Sequence, residues 1–268
     1  MTPVALRYAA ILDSADRESG RRTRLIVFLL AVCVAALAIT GFFDAARFLD
    51  GLPAIAQLGS EMVPPDFTRW KSWMRPLLDT LAMSIAGTVL AVLISLPLAV
   101  LAAPNTAPSA AVSRGVRTIL AALRSVPEII LGVLFVAAVG FGALPGVLAL
   151  AVHSVGMVAK FYAEAIEHVD PKPLEAASAA GAGRFQVITH AVLPQVFPQL
   201  ADITIYRWEY HFRASAVLGI VGAGGIGFEL MAALRLIKYD EVSAILLTIL
   251  ACVVVVDAIG ARLRKHLK

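Results

Sequence analysis

Long runs of apolar residues without a formal charge are the feature that most constrains this chain. Residues 25–43 are uncharged over nineteen positions, and residues 129–159 carry no formal charge either. A helix rises about 1.5 Å per residue, so about 20 residues cross a hydrocarbon core of about 30 Å, and the second run is too long for one span. Gly142 and Gly146, with Pro145 between them, supply a break in that run. The runs therefore predict an all-α integral membrane protein.

Composition agrees with a membrane protein and disfavours a soluble enzyme. The 268 residues are 59% hydrophobic and 16% charged, with a mean hydropathy of +0.83, whereas a soluble domain carries about 25% charged residues. The basic segment 1–24 could begin a signal peptide, but the apolar run after it exceeds the roughly 7–15 apolar residues of a cleaved signal. Cys33 and Cys252 lie inside apolar runs, and we expect them to form neither a disulfide nor a metal site.

Six spans are expected. The first, residues 25–43, follows a cytoplasmic segment of residues 1–24 and precedes a periplasmic loop of residues 44–76, where Pro64 and Pro65 disfavour regular helix. Residues 77–261 form a core that holds the other five spans and a cytoplasmic loop of residues 163–195, and residues 262–268 form a cytoplasmic tail. The five spans fall at about residues 77–103, 126–141, 144–161, 196–221 and 242–259.

The third of the six spans, at about residues 126–141, has a sequence signal for a helix start. Ser125 and Glu128 have the spacing of a capping box, which predicts that a helix restarts at Val126. Arg124 and Glu128 are four residues apart, so they could form an ion pair, or Arg124 could have a separate role near the inner end of the span. In the fourth span, His153 is expected to be a hydrogen-bonded packing residue.

The positive charges indicate which side each loop faces. Of the 23 Lys and Arg residues, fifteen lie in the proposed cytoplasmic segments, six in the proposed outer loops and two inside the fifth span. Positive charges concentrate on the cytoplasmic side of membrane proteins. We therefore expect a multi-pass protein with both termini in the cytoplasm.

The predicted fifth span contains four ionisable residues, Arg207, Glu209, His211 and Arg213. Ionisable residues inside a span are energetically costly and commonly functional. At 100° per residue, Arg207 and His211 share one face of the helix, and the other two share nearly the opposite face. Glu209 and Arg213 are in the favourable order for an i,i+4 ion pair, so we expect them to pair with each other, whereas Arg207 lacks such a neighbour.

A glycine-rich sequence follows the fifth span. Residues 222–227 match the dinucleotide-binding fingerprint literally, but that motif needs a preceding strand and here an apolar helix precedes it. We expect instead a sharp turn at the outer face, where a gate needs close approach of the backbone, formed by Gly222, Gly224, Gly225 and Gly227. The sequence has no phosphate-binding loop, metal-ligand cluster or set of nucleophile, acid and base, so no catalytic residue and no bound metal are expected.

Residues 170–194 lie between two apolar tracts and carry signals for two short helices at a bend. Asp170 followed by Pro171 is a helix start, and Gly181 is placed to end the first helix in a left-handed turn. The stretch resembles the EAA loop of ATP-binding-cassette importer permeases, with Ala191 where that pattern usually has Ile. The resemblance implies a coupling helix that docks into a groove of a partner ATPase through Glu175, Ala176, Ala177, Gly181, Gly183, Leu193 and Pro194.

Further motifs resemble the permease of the phosphonate importers. They are residues 63–70, 124–128, 206–209, 213–219 and 222–227. The resemblance implies a type I importer permease of the methionine and phosphonate branch, in the inner membrane of a bacterial cell, that carries phosphonates, phosphite or phosphate esters. Import of methionine or phosphate by the same architecture is the alternative. A membrane-embedded enzyme or respiratory subunit is less favoured.

The resemblance also implies partners. Two ATPase subunits would hold ATP and Mg, so this chain would bind no cofactor itself. A periplasmic or lipid-anchored phosphonate-binding protein would deliver the solute, and a second, identical permease copy would complete a homodimer surrounded by lipid; no nucleic-acid partner is expected. An anionic solute needs cations along an apolar pathway. Arg207, helped by His211 if protonated, is the first candidate, followed by Arg124, Glu209 and Arg213.

Overall fold

The computed structural model describes the backbone of residues 3–267 and the side chains of residues 19–267. Three cations of the topology count, Arg7, Arg17 and Lys268, lie outside the described side chains. All regular structure in the described residues is helical, which confirms the predicted all-α class. The helices are α1 (Pro3–Ile39), α2 (Ala45–Glu61), α3 (Trp70–Ala102), α4 (Ala110–Ser125), α5 (Glu128–Val139), α6 (Ala143–Glu167), α7 (Pro171–Ala179), α8 (Arg184–Val187), α9 (Leu193–Leu218), α10 (Ile226–Arg235) and α11 (Tyr239–Leu267), with π-helical turns at Ile188–Val192 and Gly219–Ala223.

Four of these helices are long and apolar enough to cross a membrane, and two bent pairs bring the number to as many as six. The four contain the stretches Ser19–Ile39, Trp70–Ala102, Ala143–Glu167 and Tyr239–Leu267. The bent pairs are Ala110–Ser125 with Glu128–Val139, at 82°, and Arg184–Ala223 with Ile226–Arg235, at 56°. Each helix bonds its own backbone polar groups, as a segment in lipid must.

The first of two compact units covers Met1–Ser60. A turn at Gly41, whose φ is +74°, separates α1 from α2, and the ring of Phe42 makes an edge contact with that of Phe48. Residues 44–76, which the sequence predicts to be a periplasmic loop, contain a helix, α2 (Ala45–Glu61). Pro64 and Pro65 lie after the end of this helix and do not interrupt it. The residues of α2 favour helix and tolerate one internal proline, Pro53.

The second unit covers Glu61–Lys268, and α3, α6 and α9 pack together at its centre. Small residues allow close packing between these helices, as is common in membranes. Gly87 on α3 is one example, because a Cβ added there would lie only 3.0 Å from Cβ of Leu150 on α6. This packing brings polar side chains of three helices into one buried region.

The capping box predicted at the start of the third span does not form. Ser125 is the last residue of α4, and its hydroxyl donates to the carbonyl of Ala122 at 2.7 Å. The next helix begins at Glu128, after Pro127, so the predicted restart at Val126 is wrong by two residues. The serine hydroxyl is already used by the preceding helical turn, and the helices on either side of Pro127 diverge by 82°.

Candidate functional site

The segment from Asp170 to Pro194, called the coupling segment below, begins with the helix that the sequence predicts. The Asp170 carboxylate accepts a hydrogen bond from the backbone N–H of Lys172 at 3.0 Å, which caps α7. The helix ends at Ala179, and Gly181, two residues later, has a φ of +83°, in the left-handed region. The N–H of Gly181 donates to Ser178 O, and the N–H of Ala182 donates to Ala177 O, both at 3.0 Å. The predicted start and left-handed end are confirmed.

The second half of the coupling segment differs from the prediction of a second short helix. The backbone bends at Gly183, and Gln186 Oε1 accepts its N–H at 2.8 Å. From there α8, the π-helical turn Ile188–Val192 and α9 form one continuous helical stretch, Arg184–Ala223. Pro194 has no N–H and its ring crowds the carbonyl four residues earlier, so the wide π turn just before it lets the helix continue.

One face of the coupling segment is open and the other is anchored. Leu174 packs on the main core cluster, and the Arg184 guanidinium donates to Thr106 O at 2.5 Å. On the open side lie the predicted coupling residues Glu175, Ala176, Gly181, Gly183, Leu193 and Pro194, while Ala177 is half-buried. Phe185 is 78% exposed beside them, an aromatic that our motif analysis missed although it follows the bend directly.

A chain of hydrogen bonds joins Thr88 of α3, Ser154 of α6, and His211 and Arg207 of α9; we call it the polar chain. Arg207 Nε donates to Ser154 Oγ at 2.8 Å, and Ser154 Oγ lies 2.5 Å from His211 Nε2. The other ring nitrogen of His211, Nδ1, lies 2.7 Å from Thr88 Oγ1. His211 is 0% exposed and Arg207 is 3% exposed within the chain. The predicted common face of Arg207 and His211 is therefore real, and both bond to the same hydroxyl.

A second set of contacts surrounds the Arg207 guanidinium. It lies over the ring of Tyr210, 4.3 Å from the centroid, and the Tyr210 hydroxyl donates to Glu128 Oε1 at 2.8 Å. Arg207 Nη1 contacts the sulfur of Met157 at 3.3 Å. Among the described residues, Arg207 Nη2 and Glu128 Oε2 are buried without a hydrogen-bond partner. The site therefore offers one free cationic donor and one free carboxylate acceptor.

The predicted ion pair between Glu209 and Arg213 is wrong. Arg213 Nη1 lies 2.9 Å from Asp257 Oδ1, and Glu209 Oε1 lies 2.8 Å from Arg264 Nη1. Both ion pairs join a side chain of α9 to a side chain of α11, because α11 packs along α9. Gly260 of α11 makes room for the buried Glu209 carboxylate, since a Cβ there would collide with it. The partner side chains come from a helix that the spacing within α9 cannot indicate.

Arg124 and Glu128, the other proposed i,i+4 pair, form no ion pair among the described residues, because the bend at Pro127 separates them. Arg124 Nε donates instead to Leu120 O at 3.3 Å. His153 Nδ1 lies 3.0 Å from Val126 O, as expected for a hydrogen-bonded packing residue.

Sequence reasoning missed the neutral partners in the polar chain, Thr88 and Ser154, because nothing in their spacing distinguishes them from other hydroxyl residues of a span.

The glycine-rich sequence forms the predicted sharp turn. Gly222, Gly224 and Gly225 have φ values of +102°, +76° and +71°. The N–H of Ile226 donates to Thr80 Oγ1 at 2.9 Å, and a Cβ on Gly225 would lie 2.5 Å from the same oxygen. A Cβ on Gly227 would collide with the backbone oxygen of Ala216. The turn thus depends on glycine for conformation and for close approach, and its function as a gate stays a prediction.

The sequence is similar to known transport permeases over most of its length. Residues 95–268 match the family model described as binding-protein-dependent transport system inner membrane component. The phosphite transport system permease protein PtxC of Stutzerimonas stutzeri is 62% identical over 248 residues, which are 92% of this chain and 90% of that protein. The phosphate-import permease protein PhnE of Mycolicibacterium smegmatis is 41% identical over 237 residues, 88% of this chain and 44% of that protein.

A solved structure supports the same assignment. A chain of the MetNI methionine ABC transporter in an inward-facing conformation superposes with a TM-score of 0.65 and 26% identity, covering 72% of this chain and 95% of that one. With the helical bundle and the coupling segment already described, these similarities place the protein in the inner membrane as a transport subunit and not an enzyme. The chain belongs to the binding-protein-dependent transport system inner membrane components, as a permease of the phosphonate and phosphite type in an ATP-binding-cassette importer with the type I fold.

Proposed function

We propose that this permease carries phosphite, phosphonates or closely related phosphorus oxyanions across the inner membrane. The observation that carries the proposal is the 62% identity, over nearly the whole chain, to a permease named for phosphite transport. A buried arginine in the fifth span supports it, because an anion crossing a low-dielectric region needs compensating positive charge. Methionine, the alternative solute, is neutral overall and has no such requirement.

Transport assays with the complete importer test the solute. The permease is reconstituted in proteoliposomes with its cognate ATPase and binding protein, and uptake and ATP hydrolysis are measured with phosphite, methylphosphonate, phosphate, methionine and sulfate. We expect phosphite or methylphosphonate to stimulate both activities most strongly. Stimulation by methionine alone would overturn the proposed solute class.

Arg207 is the residue that we propose attracts the anion along the pathway. Its Nη2 atom has no described partner, while Glu209 and Arg213 are each engaged by an opposite charge of α11. Arg124 is a second candidate nearer the inner end. Uptake by Arg207→Ala and Arg207→Lys variants that still assemble should fall about tenfold or more, which corresponds to about 1.4 kcal/mol. Unchanged phosphite uptake in both variants would contradict the proposed role of Arg207.

As an importer permease, the chain works with ATPase subunits and a binding protein. We propose that two ATPases, which hold ATP and Mg, dock on the coupling segment through Glu175 and its exposed neighbours, and that both termini face the same cytoplasmic side. Each chain has one such segment, so two ATPases need a second permease, which we propose is an identical copy. Mass spectrometry of the purified complex tests this, because a sister permease would have a different mass.

A further inference from the structure

The hydrogen bonds on both sides of His211 fix where its protons can lie. The Thr88 hydroxyl donates to the carbonyl of Ser84 at 2.7 Å, so its oxygen is left to accept a proton from His211 Nδ1, 2.7 Å away. On the other side of the ring, Ser154 Oγ accepts from Arg207 Nε, which has no lone pair and can only donate. The remaining proton of the Ser154 hydroxyl then has His211 Nε2 as its acceptor.

A neutral His211 with its proton on Nδ1 gives every hydrogen bond of the polar chain one donor and one acceptor. Arg207 Nε–H donates to Ser154, Ser154 O–H donates to His211 Nε2, His211 Nδ1–H donates to Thr88, and Thr88 O–H donates to Ser84 O. All donors run in the same direction, an arrangement in which neighbouring hydrogen bonds strengthen one another.

A protonated His211 breaks this arrangement. Its Nε2–H would also donate to Ser154 Oγ, and the Ser154 hydroxyl proton would have no other acceptor among the described residues. The imidazolium would also lie one hydroxyl away from the Arg207 guanidinium, with both groups buried. Two adjacent buried cations and a buried, unpaired hydroxyl proton are each costly.

We infer that His211 is neutral in the working permease and acts as a positioning residue that holds Arg207 through Ser154. The inference rests on the proposed role of Arg207 and corrects the expectation that a protonated His211 adds a second positive charge. The chain fixes the Nε side of the guanidinium and Tyr210 lies against its face, so Nη2 remains the donor available to an anion.

Two amide substitutions separate this role from a role in packing. In His211→Gln the amide oxygen reaches the position of Nε2 and can accept from Ser154, whereas the shorter His211→Asn can replace only the Nδ1 donor to Thr88. The measurement is the number of phosphite molecules taken up per ATP hydrolysed, in proteoliposomes that contain equal amounts of assembled importer. A general folding defect lowers the amount of complex and does not change this ratio.

We expect His211→Ala and His211→Asn to lower the ratio about 5- to 30-fold, and His211→Gln to return it to within about threefold of the unsubstituted protein. Ser154→Ala removes the link with a smaller change in shape and should reproduce His211→Ala. His153→Asn is the matched control and should leave the ratio unchanged, because His153 is on the same helix as Ser154 but outside the polar chain.

The outcomes distinguish the pathway role of Arg207 from the positioning role of His211. If Arg207→Ala leaves both phosphite uptake and the ratio unchanged, the proposed pathway role of Arg207 fails. If Arg207→Ala lowers it but Ser154→Ala and His211→Ala do not, the pathway role stands and the positioning role of His211 is wrong. If His211→Lys restores the ratio and His211→Gln does not, His211 acts as a cation and the inference is overturned.

Discussion

The end of the coupling segment and two members of the polar chain, Arg207 and His211, lie on one continuous helical stretch, but the two regions are stabilised in opposite ways. One face of the coupling segment is exposed, and the bonds that shape its turns join residues two to five positions apart, such as Asp170 with Lys172 and Ala182 with Ala177. The polar chain is buried, and its bonds join residues up to 123 positions apart. A local sequence can therefore specify the docking surface, whereas the polar chain exists only when α3, α6 and α9 are packed.

The largest effect should come from breaking a long-range contact of α9. Arg264→Ala leaves the Glu209 carboxylate, which is 6% exposed, buried without its partner. Loss of one member of a buried pair costs about 3–5 kcal/mol, and we expect the lower end because Arg264 keeps some exposure. Thermal unfolding in detergent measures the loss.

A second substitution and a control make this test specific. Adding Glu209→Gln to Arg264→Ala removes the unpaired charge and should restore part of the lost stability. Lys265→Ala removes a neighbouring exposed cation and should change stability by less than about 0.5 kcal/mol. Equal losses for Arg264→Ala and Lys265→Ala would mean that the contact with Glu209 does not stabilise the fold.

Gly181→Val should have a smaller effect on stability and a clear effect on coupling. A β-branched residue at a φ of +83° is strained by about 1–3 kcal/mol, so the bend after α7 should change shape. The protein should still insert and fold, because a side chain added at Gly181 meets open space and does not disturb the core. Phosphite-stimulated ATP hydrolysis should fall about tenfold, since the docking surface no longer has its angle.

Gly115→Val on an exposed face of α4 is the control, because a side chain there meets open space. It should retain stimulated ATP hydrolysis. Normal uptake by Gly181→Val would count against the docking role of the coupling segment.

Phe185→Ala should weaken binding of the ATPase without lowering stability. The ring is 78% exposed, so its loss costs the isolated permease little, but a partner that covers it would lose about 1–2 kcal/mol, or about 5- to 30-fold in affinity. Titration of the purified ATPase onto permease in nanodiscs measures this. Phe141→Ala, an equally exposed ring beyond α5, should leave ATPase affinity unchanged, and an equal effect of both substitutions would contradict docking at Phe185.

The smallest effects on stability are expected at the two serines at the ends of α4. Ser109 Oγ accepts the N–H of Val112 at 3.3 Å, so Ser109→Ala should cost about 1 kcal/mol as a lost helix cap. Ser125 caps no helix, so Ser125→Ala should cost less than about 0.5 kcal/mol. Thermal unfolding of the two variants is compared directly. A larger loss for Ser125→Ala would restore the capping box that the sequence suggested.

The sequence was most informative where neighbours in the chain determine the conformation. Asp170, Pro171 and Gly181 define a helix start and end by their own chemistry, and both ends occur where expected. The number of apolar runs similarly predicted the helical bundle. The prediction for residues 44–76 relied on Pro64 and Pro65, which lie after α2, so it did not identify that helix.

Side-chain partners could not be predicted from spacing along one helix. Glu209 and Arg213 have ideal i,i+4 geometry, but Arg264 and Asp257 of the neighbouring helix compete for them and form the closer contacts. An exposed helix in water lacks such competitors, which is why the i,i+4 rule works there. Inside a bundle, the lateral position of α11 decides the pairing, and that position depends on the packing of the whole unit.

The π-helical turn Ile188–Val192 has a consequence for the orientation of the two regions. Five residues in this wide turn determine the rotational phase between the docking surface and the face of α9 that carries Arg207. A π-helical turn, closed by i→i+5 hydrogen bonds, takes up one residue more than an α-helical turn, so deletion of one residue here would leave an α-helical turn and keep the docking surface on nearly the same side of the stretch. Deletion of one residue from the α-helical part of the stretch would instead turn the coupling residues by about 100°, away from their present direction.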